Sequence, residues 1–477
     1  MCPQLQSLGY DLTSSPQSED CLSVNVFVPP SFQQWNGSFS TSPNLPVVVF
    51  IHGGGFVAGS GAEPMYDGTY FAQRTNTIVV TLNYRLGIFG FLALDPAESS
   101  YVGGNFGLMD QELAVQWVHD NIAWFGGNPL QITLWGQSSG AQSVLMLSTL
   151  PQAAKYFQRI IVQSGSFSSD LPSTISSEVP MVVKDIASQA GCFLGNGVSM
   201  GCMRVASMET LLELASGPNS KYRFSWVPVV DGTYIQENPT SVWRDGRLPM
   251  PLKGVLSGSS IQEYWSILCW SLSSNLNPDF GLSEANVGVY LSELFGPDHS
   301  QSVKAEFSDI LGSSSLTPYE QVATIVTSFA GSCALQANAQ WAAGNHVGVQ
   351  YQYQLQHRLS FVPQEFGASH FQTLALGWHS PCFISCGYLR GKFTPGEEDL
   401  SNSIITRFGN FITSGDPQCT DDSLPPGLTT PWVSGPDQTM VLGPDPQTIT
   451  MQPMQVVNSA DQCPFWSQLT ADFSNLQ

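Results

Sequence analysis

The segment Gly136-Gln137-Ser138-Ser139-Gly140 constrains the fold of this chain more than any other feature. It follows a strand-forming run, residues 131–135, and precedes a helix-forming run, residues 141–150. A Gly-x-Ser-x-Gly segment between a strand and a helix predicts the sharp turn called a nucleophile elbow. Glycines flank the serine because neighbouring backbone in such a turn leaves no room for side chains. We therefore predict a strand–turn–helix unit with Ser138 at its apex.

Short runs of β-branched and other apolar residues recur along the chain. They lie at residues 47–51, 77–81, 132–134, 160–162 and 349–355. Continuous apolar runs of this length suit strands that are buried on both faces of a sheet. Helix-forming stretches, such as residues 110–122 and 142–150, lie between them. This alternation predicts an α/β fold with a mostly parallel central sheet and helices on both faces.

Two longer stretches, at about residues 175–250 and 270–345, have less regular patterns. The sequence contains no recognisable linker between either stretch and its surroundings, as separate domains would need. We therefore predict that both are cap-like insertions around one core, within a single domain that spans residues 1–477.

The chain is strongly acidic. Its 477 residues include 16 Lys and Arg but 37 Asp and Glu, which gives a net charge of −21 and a pI near 4.4. Such a charge repels nucleic acids and anionic membrane surfaces. No apolar run approaches the roughly 18 residues that a membrane helix needs. The composition therefore predicts neither a nucleic-acid partner nor a transmembrane segment.

A second glycine-rich segment, His52-Gly53-Gly54-Gly55-Phe56, directly follows the predicted strand at residues 47–51. A loop of this kind offers backbone N–H groups to a developing oxyanion. The alternative is an ordinary glycine turn after a strand, with no chemical role. The elbow further along the chain favours the first interpretation, and His52 is then expected to be structural.

Further sequence blocks are spread along the chain. They are SEDCLSVNV at residues 18–26, NYRLG at 83–87, NFGLMDQ at 105–111, WFGGNP at 124–129, VQSGS at 162–166, PVVDG at 228–232 and SGDP at 414–417. Taken with the elbow and the glycine loop, they resemble the type-B carboxylesterase/lipase family. That family includes cholinesterases and fungal lipases and has the α/β-hydrolase fold. The resemblance covers nearly the whole chain.

The resemblance implies a catalytic triad in the chain order Ser, Glu, His. Ser138 is the nucleophile of the elbow, and Glu263 follows a strand-like segment, residues 255–262. His370 ends the segment GASH at residues 367–370, which resembles the family's histidine loop. Two departures stand beside these residues. The family usually has Asp-Glu-Gly where this chain has Gln-Glu-Tyr at 262–264, and Phe371 replaces a glycine after the histidine.

The resemblance also implies the roles of the neighbouring groups. The N–H groups of Gly54, Gly55 and Ser139 are expected to bind the oxyanion of a tetrahedral intermediate. Ser164 matches a family serine near the acid, so it either orients Glu263 or is a plain core serine. The implied function is a serine hydrolase that cleaves carboxylic esters through an acyl-enzyme intermediate, without a cofactor.

Two alternatives to an ordinary esterase remain open. One is a lipase or sterol esterase with a long-chain preference, whose substrate is a lipid ester rather than a small-molecule ester. Only 18 residues separate Cys2 from Cys21, and none is a tryptophan. By resemblance, so short a loop favours ordinary esterase behaviour, and the missing tryptophan disfavours choline esters. The other alternative is a non-catalytic, cholinesterase-like binding protein, because the family includes members without the serine.

Ten cysteines indicate an oxidising, secreted setting. The resemblance implies three disulfides, Cys2–Cys21, Cys192–Cys202 and Cys333–Cys463, and leaves Cys269, Cys382, Cys386 and Cys419 unassigned. His379, Cys382 and Cys386 form an incomplete ligand set, so no metal is expected.

Asn36-Gly37-Ser38 is the candidate glycosylation site, at Asn36. The sequence starts without a signal peptide. By resemblance we expect a truncated start that lacks the family's first strands.

Overall fold

The computed structural model describes residues 1–5, 16–34, 44–94, 103–167, 178–195, 197–217, 220, 222, 225–266, 282–384, 388–453 and 462–474. The strands are β1 (Val24–Phe27), β2 (Leu45–Ile51), β3 (Ile78–Leu82), β4 (Gly127–Gln137), β5 (Arg159–Gln163), β6 (Phe193–Leu194), β7 (Gly197–Val198), β8 (Gly254–Ser260), β9 (Val349–Leu355), β10 (Cys382–Ile384), β11 (Tyr388–Arg390), β12 (Gln438–Leu442) and β13 (Ile449–Pro453). The predicted runs at residues 47–51, 77–81, 132–134, 160–162 and 349–355 lie in or overlap β2, β3, β4, β5 and β9.

The α-helices are α1 (Thr69–Thr75), α2 (Gly87–Phe91), α3 (Phe106–Asn121), α4 (Ser139–Thr149), α5 (Pro151–Ala154), α6 (Glu178–Gln189), α7 (Met200–Met203), α8 (Met208–Ser216), α9 (Pro239–Arg244), α10 (Val287–Glu306), α11 (Ser308–Leu311), α12 (Pro318–Val326), α13 (Ala334–Gly344), α14 (Gln372–Gly377), α15 (Pro395–Ser414) and α16 (Cys463–Ser474). A π-helix spans Thr327–Cys333. Single 3-10 turns lie at Pro30–Gln34, Pro64–Tyr66, Ile122–Phe125, Glu263–Trp265, Gln364–Phe366 and Pro426–Leu428.

The main sheet has nine strands in the order β1-β3-β2-β4-β5-β8-β9-β12-β13. The strands from β3 to β12 pair in parallel, whereas β1 and β13 are antiparallel edge strands. The mostly parallel sheet of an α/β-hydrolase fold is therefore confirmed. Every residue of β3, β5 and β8 is buried, as expected for strands that helices cover on both faces.

The chain changes direction across the sheet next to the elbow. It passes from β2 to β3 on one side and then returns to β4 on the other side of β2. In open parallel sheets, the carboxyl ends of the strands that flank such a switch point form a crevice where ligands bind. The glycine loop leaves the carboxyl end of β2, and Ser138 leaves that of β4. The topology thus brings the two predicted motifs together.

Neighbouring residues of β4 face opposite sides of the sheet. Trp135 packs against Phe71 of α1 at 5.4 Å and against Phe408 of α15 at 5.5 Å between ring centroids. A side chain at Gly136 would instead clash with the backbone of Gly140 in α4. Because side chains alternate along a strand, α1 and α15 cover one face and α4 covers the other.

A second hydrophobic cluster lies outside the sheet, in helices α10 to α12, the π-helix and α16. Trp466 of α16 is at its centre, with ring centroids 5.4 Å from Phe295 and from Phe307 and 4.9 Å from Phe329. The stretch predicted to be irregular is therefore largely helical between residues 287 and 344. Its periodicity is hard to recognise because Gly296 and Pro297 kink α10 and a π-helix separates α12 from α13.

Between described residues the structure contains three disulfides, and they join the pairs that the resemblance implied: Cys2–Cys21, Cys192–Cys202 and Cys333–Cys463. The third ties the π-helix to α16 across 130 residues of chain. Cys419 is a buried free thiol. Cys269, Cys386 and the glycosylation candidate Asn36 lie outside the described residues. Among the helices that are described, none combines the length and the apolarity that crossing a bilayer requires.

A substitution at Trp378 tests the aromatic core between the sheet and its covering helices. It is 2% exposed and stacks on Trp135 at 5.0 Å between ring centroids. We expect Trp378→Ala to lower the free energy of unfolding by about 3–5 kcal/mol, because the change leaves a cavity that the core cannot fill. Trp124 is 64% exposed, so Trp124→Ala is the matched control. We expect it to change the free energy of unfolding by less than about 0.5 kcal/mol. Urea unfolding followed by circular dichroism measures both, and equal losses would contradict this account.

Candidate active site

Ser138 stands on the sharp turn between β4 and α4. Its φ of 58° and ψ of −127° are strained for a residue with a side chain. The turn is possible because its flanking glycines allow close approach of backbone. A Cβ at Gly136 would clash with the carbonyl group of Gly140, and one at Gly140 would clash with that of Ile51. The geometry is that of the predicted nucleophile elbow.

The glycine loop after β2 lies beside the elbow. Gly54 and Gly55 have φ values of 111° and 62°, which a larger residue would rarely adopt. Within the described residues, the N–H groups of Gly54, Gly55 and Ser139 donate to no other protein group. Gly55 and Ser139 line the pocket that contains Ser138. The unpaired donors of Gly55 and Ser139 can therefore bind an oxyanion in that pocket.

His52, at the start of the glycine loop, is a structural residue as predicted. It is buried and stacks on Tyr84, with 4.4 Å between ring centroids. Burial lowers the pKa of His52 to about 4, although its hydrogen bond to the Gly53 carbonyl opposes this shift. A neutral imidazole in that position supports the loop through packing.

Glu263 and His370 form a buried pair. Glu263 Oε2 lies 2.5 Å from His370 Nδ1, and the two residues are 2% and 3% exposed. The other carboxylate oxygen, Oε1, accepts hydrogen bonds from Ser164 Oγ at 2.7 Å and from the Ser260 N–H at 2.5 Å. The structure therefore places the Ser164 hydroxyl in hydrogen-bond contact with the Glu263 carboxylate.

Two loops are tied together around this pair. Gln262 Oε1 accepts a hydrogen bond from the Ala368 N–H at 2.7 Å, and Ser260 Oγ donates to the Ser369 carbonyl at 3.0 Å. The His370 N–H also donates to the Glu263 carbonyl at 3.2 Å. Sequence reasoning treated Gln262 only as a departure from the family pattern. In the structure its amide oxygen holds the histidine loop through the Ala368 N–H.

The pocket that opens onto Ser138 encloses about 520 Å³, including space that is open to solvent. Its lining is mostly small and polar and includes Gln142, Ser166, Ser259, Tyr264, Gly331 and Leu335. The π-helix provides one wall, because Ala330 and Gly331 belong to it. Burial raises the pKa of Tyr264, and the charge of Glu263 adds to this shift, so the phenol stays neutral at neutral pH.

One expected contact is missing. Among the described residues, no hydrogen bond joins Ser138 Oγ to His370, although both side chains line the same pocket. The Nε2 atom of His370 instead lies 2.9 Å from Nε2 of Gln137. Gln137 occupies the variable position of the elbow motif, and no signal in the sequence predicts this contact.

Comparison with known proteins identifies the family of the chain. A family model described as "Carboxylesterase family" matches residues 1–466, almost the whole chain. The chain belongs to the carboxylesterase family. It is 32% identical over 448 residues to acetylcholinesterase of Danio rerio, covering 85% of this chain and 68% of that protein.

Two other relatives widen the range of similar proteins. This carboxylesterase is 31% identical over 443 residues to bile salt-activated lipase of Mus musculus, which covers 85% of the chain and 68% of the lipase. It is also 38% identical over 259 residues to para-nitrobenzyl esterase of Bacillus subtilis strain 168. This alignment covers 52% of the present chain and 48% of that esterase. Family membership makes this chain a carboxylic ester hydrolase.

A buried polar network holds the segment of the carboxylesterase that leads to His370. Glu397 at the start of α15 is 1% exposed and accepts hydrogen bonds from His357 at 3.0 Å and from the Ser360 hydroxyl at 2.8 Å. Its carboxylate also caps α15 through the Thr394 N–H at 2.8 Å. Burial alone would raise the pKa of Glu397, but the hydrogen bonds from Thr394, His357 and Ser360 together hold it below the ordinary value.

This shift predicts a loss of stability in acid. A carboxylate whose pKa is lowered in the folded state stabilises the protein above the unfolded-state pKa, and that contribution disappears as the pH falls through the folded-state pKa. We expect Glu397→Gln to lower the melting temperature at pH 7 and to lower it progressively less below about pH 4. Melting curves at pH 7 and below about pH 4 test this expectation. Glu306 is exposed, so Glu306→Gln is the control. A difference from wild type that is independent of pH would contradict it.

Proposed function

We propose that this carboxylesterase is a serine esterase that forms an acyl-enzyme on Ser138. The observation that supports the proposal most directly is the buried Glu263–His370 pair, which lines the same pocket as Ser138 and the unpaired N–H group of Ser139. A nucleophile, a base with an orienting carboxylate and oxyanion donors are the groups that acyl transfer requires.

The reaction would proceed in two halves. His370 Nε2 takes the Ser138 hydroxyl proton while Oγ attacks the ester carbonyl, and the carbonyl oxygen becomes an oxyanion that Gly54, Gly55 and Ser139 stabilise. Glu263 stabilises the imidazolium through Nδ1–H. His370 returns the proton to the leaving alcohol, and an acyl-enzyme remains. In the second half, water replaces the alcohol and the acid is released.

We also propose that the substrates are dissolved esters of small molecules rather than emulsified lipid esters. The described lining of the pocket includes several serines and glycines, and Leu335 is its one large aliphatic side chain. Long acyl chains need extended apolar walls, since each buried CH₂ contributes about 0.8 kcal/mol. The short loop between Cys2 and Cys21 agrees with this preference. The three disulfides support an oxidising, extracellular setting.

The active-site assignment predicts the site of labelling by a fluorophosphonate probe. We expect one adduct, located by peptide mass spectrometry on Ser138, because an assembled base and oxyanion hole activate that serine alone. Ser138→Ala should abolish the adduct, and His370→Ala should slow its formation by several orders of magnitude, since the triad acts as a unit.

Matched variants separate the role of Glu263 from a general effect of charge. Glu263→Gln should slow labelling by about 10³–10⁴-fold, because the wrong histidine tautomer is then favoured. Glu365 is exposed on the loop before His370, so Glu365→Gln should label at the wild-type rate. Absence of labelling on folded wild-type protein would reject the esterase proposal in favour of a non-catalytic binding scaffold.

The substrate preference predicts the dependence of rate on ester chain length. With para-nitrophenyl esters below their solubility limit, kcat/KM should peak at short acyl chains of about two to four carbons, because longer chains find few apolar partners in this pocket. The rate should show no increase when the ester concentration passes the solubility limit. A rise at that limit, or a peak at long chains, would favour the lipase alternative.

A further inference from the structure

Gln137 contacts the atom of His370 that must act as the base. Glu263 is a hydrogen-bond acceptor, so the proton of a neutral His370 is on Nδ1, which lies 2.5 Å from Glu263. The lone pair of His370 is therefore on Nε2. Gln137 Nε2 lies 2.9 Å from that atom and can only donate to it. The amide of Gln137 thus occupies the lone pair of the base.

The same lone pair must accept the proton of Ser138. A neutral imidazole has one lone pair in the ring plane, so two donors compete for it. In the part of the chain that the structure describes, Gln137 makes this hydrogen bond and Ser138 Oγ does not. The resting arrangement therefore leaves the nucleophile and the base unconnected.

The amide of Gln137 is buried in the protein rather than exposed to solvent. Gln137 is the last residue of β4 and is completely buried. Its side-chain oxygen packs so closely on the glycine loop that a Cβ at Gly53 would lie 2.8 Å from it. That oxygen has no hydrogen-bond partner among the described atoms. An unpaired buried carbonyl is costly, so the orientation of this amide is not optimised for stability alone.

We propose that Gln137 is a positioning residue that holds His370 in a resting state and must release Nε2 before Ser138 can react. This inference rests on the proposed serine esterase function. In the reactive step, the Gln137–His370 hydrogen bond breaks and the Ser138 hydroxyl takes its place. The Oγ–H proton then moves to the freed lone pair as Oγ bonds to the ester carbon, and the carbonyl π electrons move to the oxyanion.

Gln137 can also serve the protonated histidine. Once Nε2 carries a proton, the Gln137 amide can no longer donate to it. A half-turn of the amide brings Oε1, the atom that lacked a partner, to the position of the former donor. The same side chain can thus accept from the imidazolium until the proton passes to the leaving alcohol. A single buried amide then switches between donor and acceptor as the base gains and loses its proton.

The test is the labelling rate of the Gln137→Met variant of the full chain. Methionine keeps the length of the side chain but donates no hydrogen bond. We expect the second-order rate constant for labelling of Ser138 by a fluorophosphonate probe to rise about two- to tenfold, the equivalent of one hydrogen bond of ordinary strength. Gln137→Asn, whose amide is one methylene too short to reach His370, should show the same rise if the methionine variant does not fold.

Gln111→Met is the matched control, because Gln111 is a completely buried glutamine of α3 that does not line the pocket. It should label at the wild-type rate. A structural role for Gln137 would instead lower both the melting temperature and the labelling rate of its variants. Histidine-selective ¹⁵N NMR adds a direct readout, since the Nε2 resonance of His370 should shift when its donor is removed.

The outcomes separate the two proposals. A labelling rate in both Gln137 variants that equals or falls below that of wild type, while Ser138 still forms the adduct, would overturn the role of Gln137 and leave the esterase function intact. If Ser138 is not labelled in folded wild-type protein, the esterase function fails, and the resting-state proposal fails with it. A rise in both variants with an unchanged Gln111→Met rate supports both.

Discussion

The rest of the structure depends on the parallel pairing of β2, β4, β5, β8 and β9. Parallel strands end at the same edge of a sheet, so five separate loops meet there. These loops carry the glycine segment, Ser138, Ser164, Glu263 and His370. Residues more than 300 positions apart thus share one pocket, because the register of the sheet fixes where each strand stops. Burial of that sheet on both faces makes the register hard to shift.

The pocket also depends on a second, smaller set of contacts. Ala330 and Gly331 form its wall and belong to a π-helix, whose extra residue per turn changes the direction of the side chains that follow. The Cys333–Cys463 disulfide and Trp466 hold that helix against α16. Helix α16 therefore supports the pocket at Ser138 from behind its wall, and none of the described residues that line this pocket belongs to α16. The sheet positions the reacting groups, and the second cluster shapes the space in front of them.

Hydrogen bonding around His370 combines rigidity with one adjustable contact. Nδ1 faces a carboxylate that Ser164 and Ser260 hold in place, so this side of the ring is fixed. Nε2 faces the amide of Gln137, which carries an NH₂ donor and a carbonyl acceptor on the same carbon. A half-turn of the amide exchanges the two. A carboxylate has no donor to offer a neutral imidazole, whereas an amide can serve both protonation states. A neutral amide beside the base can therefore hydrogen-bond to His370 in both of its protonation states.

Sequence alone determined the strand–turn–helix at Ser138, the glycine loop, the parallel α/β sheet and three disulfide pairs. These features depend on local backbone requirements, buried β-branched runs and resemblance along the chain, all of which a sequence displays. Tertiary structure decided the contact of Gln137 with His370, the bracing of Ala368 by Gln262 and the helices between residues 287 and 344. A side chain's partner across hundreds of residues depends on which atoms packing brings within about 3 Å, and no local pattern encodes that distance.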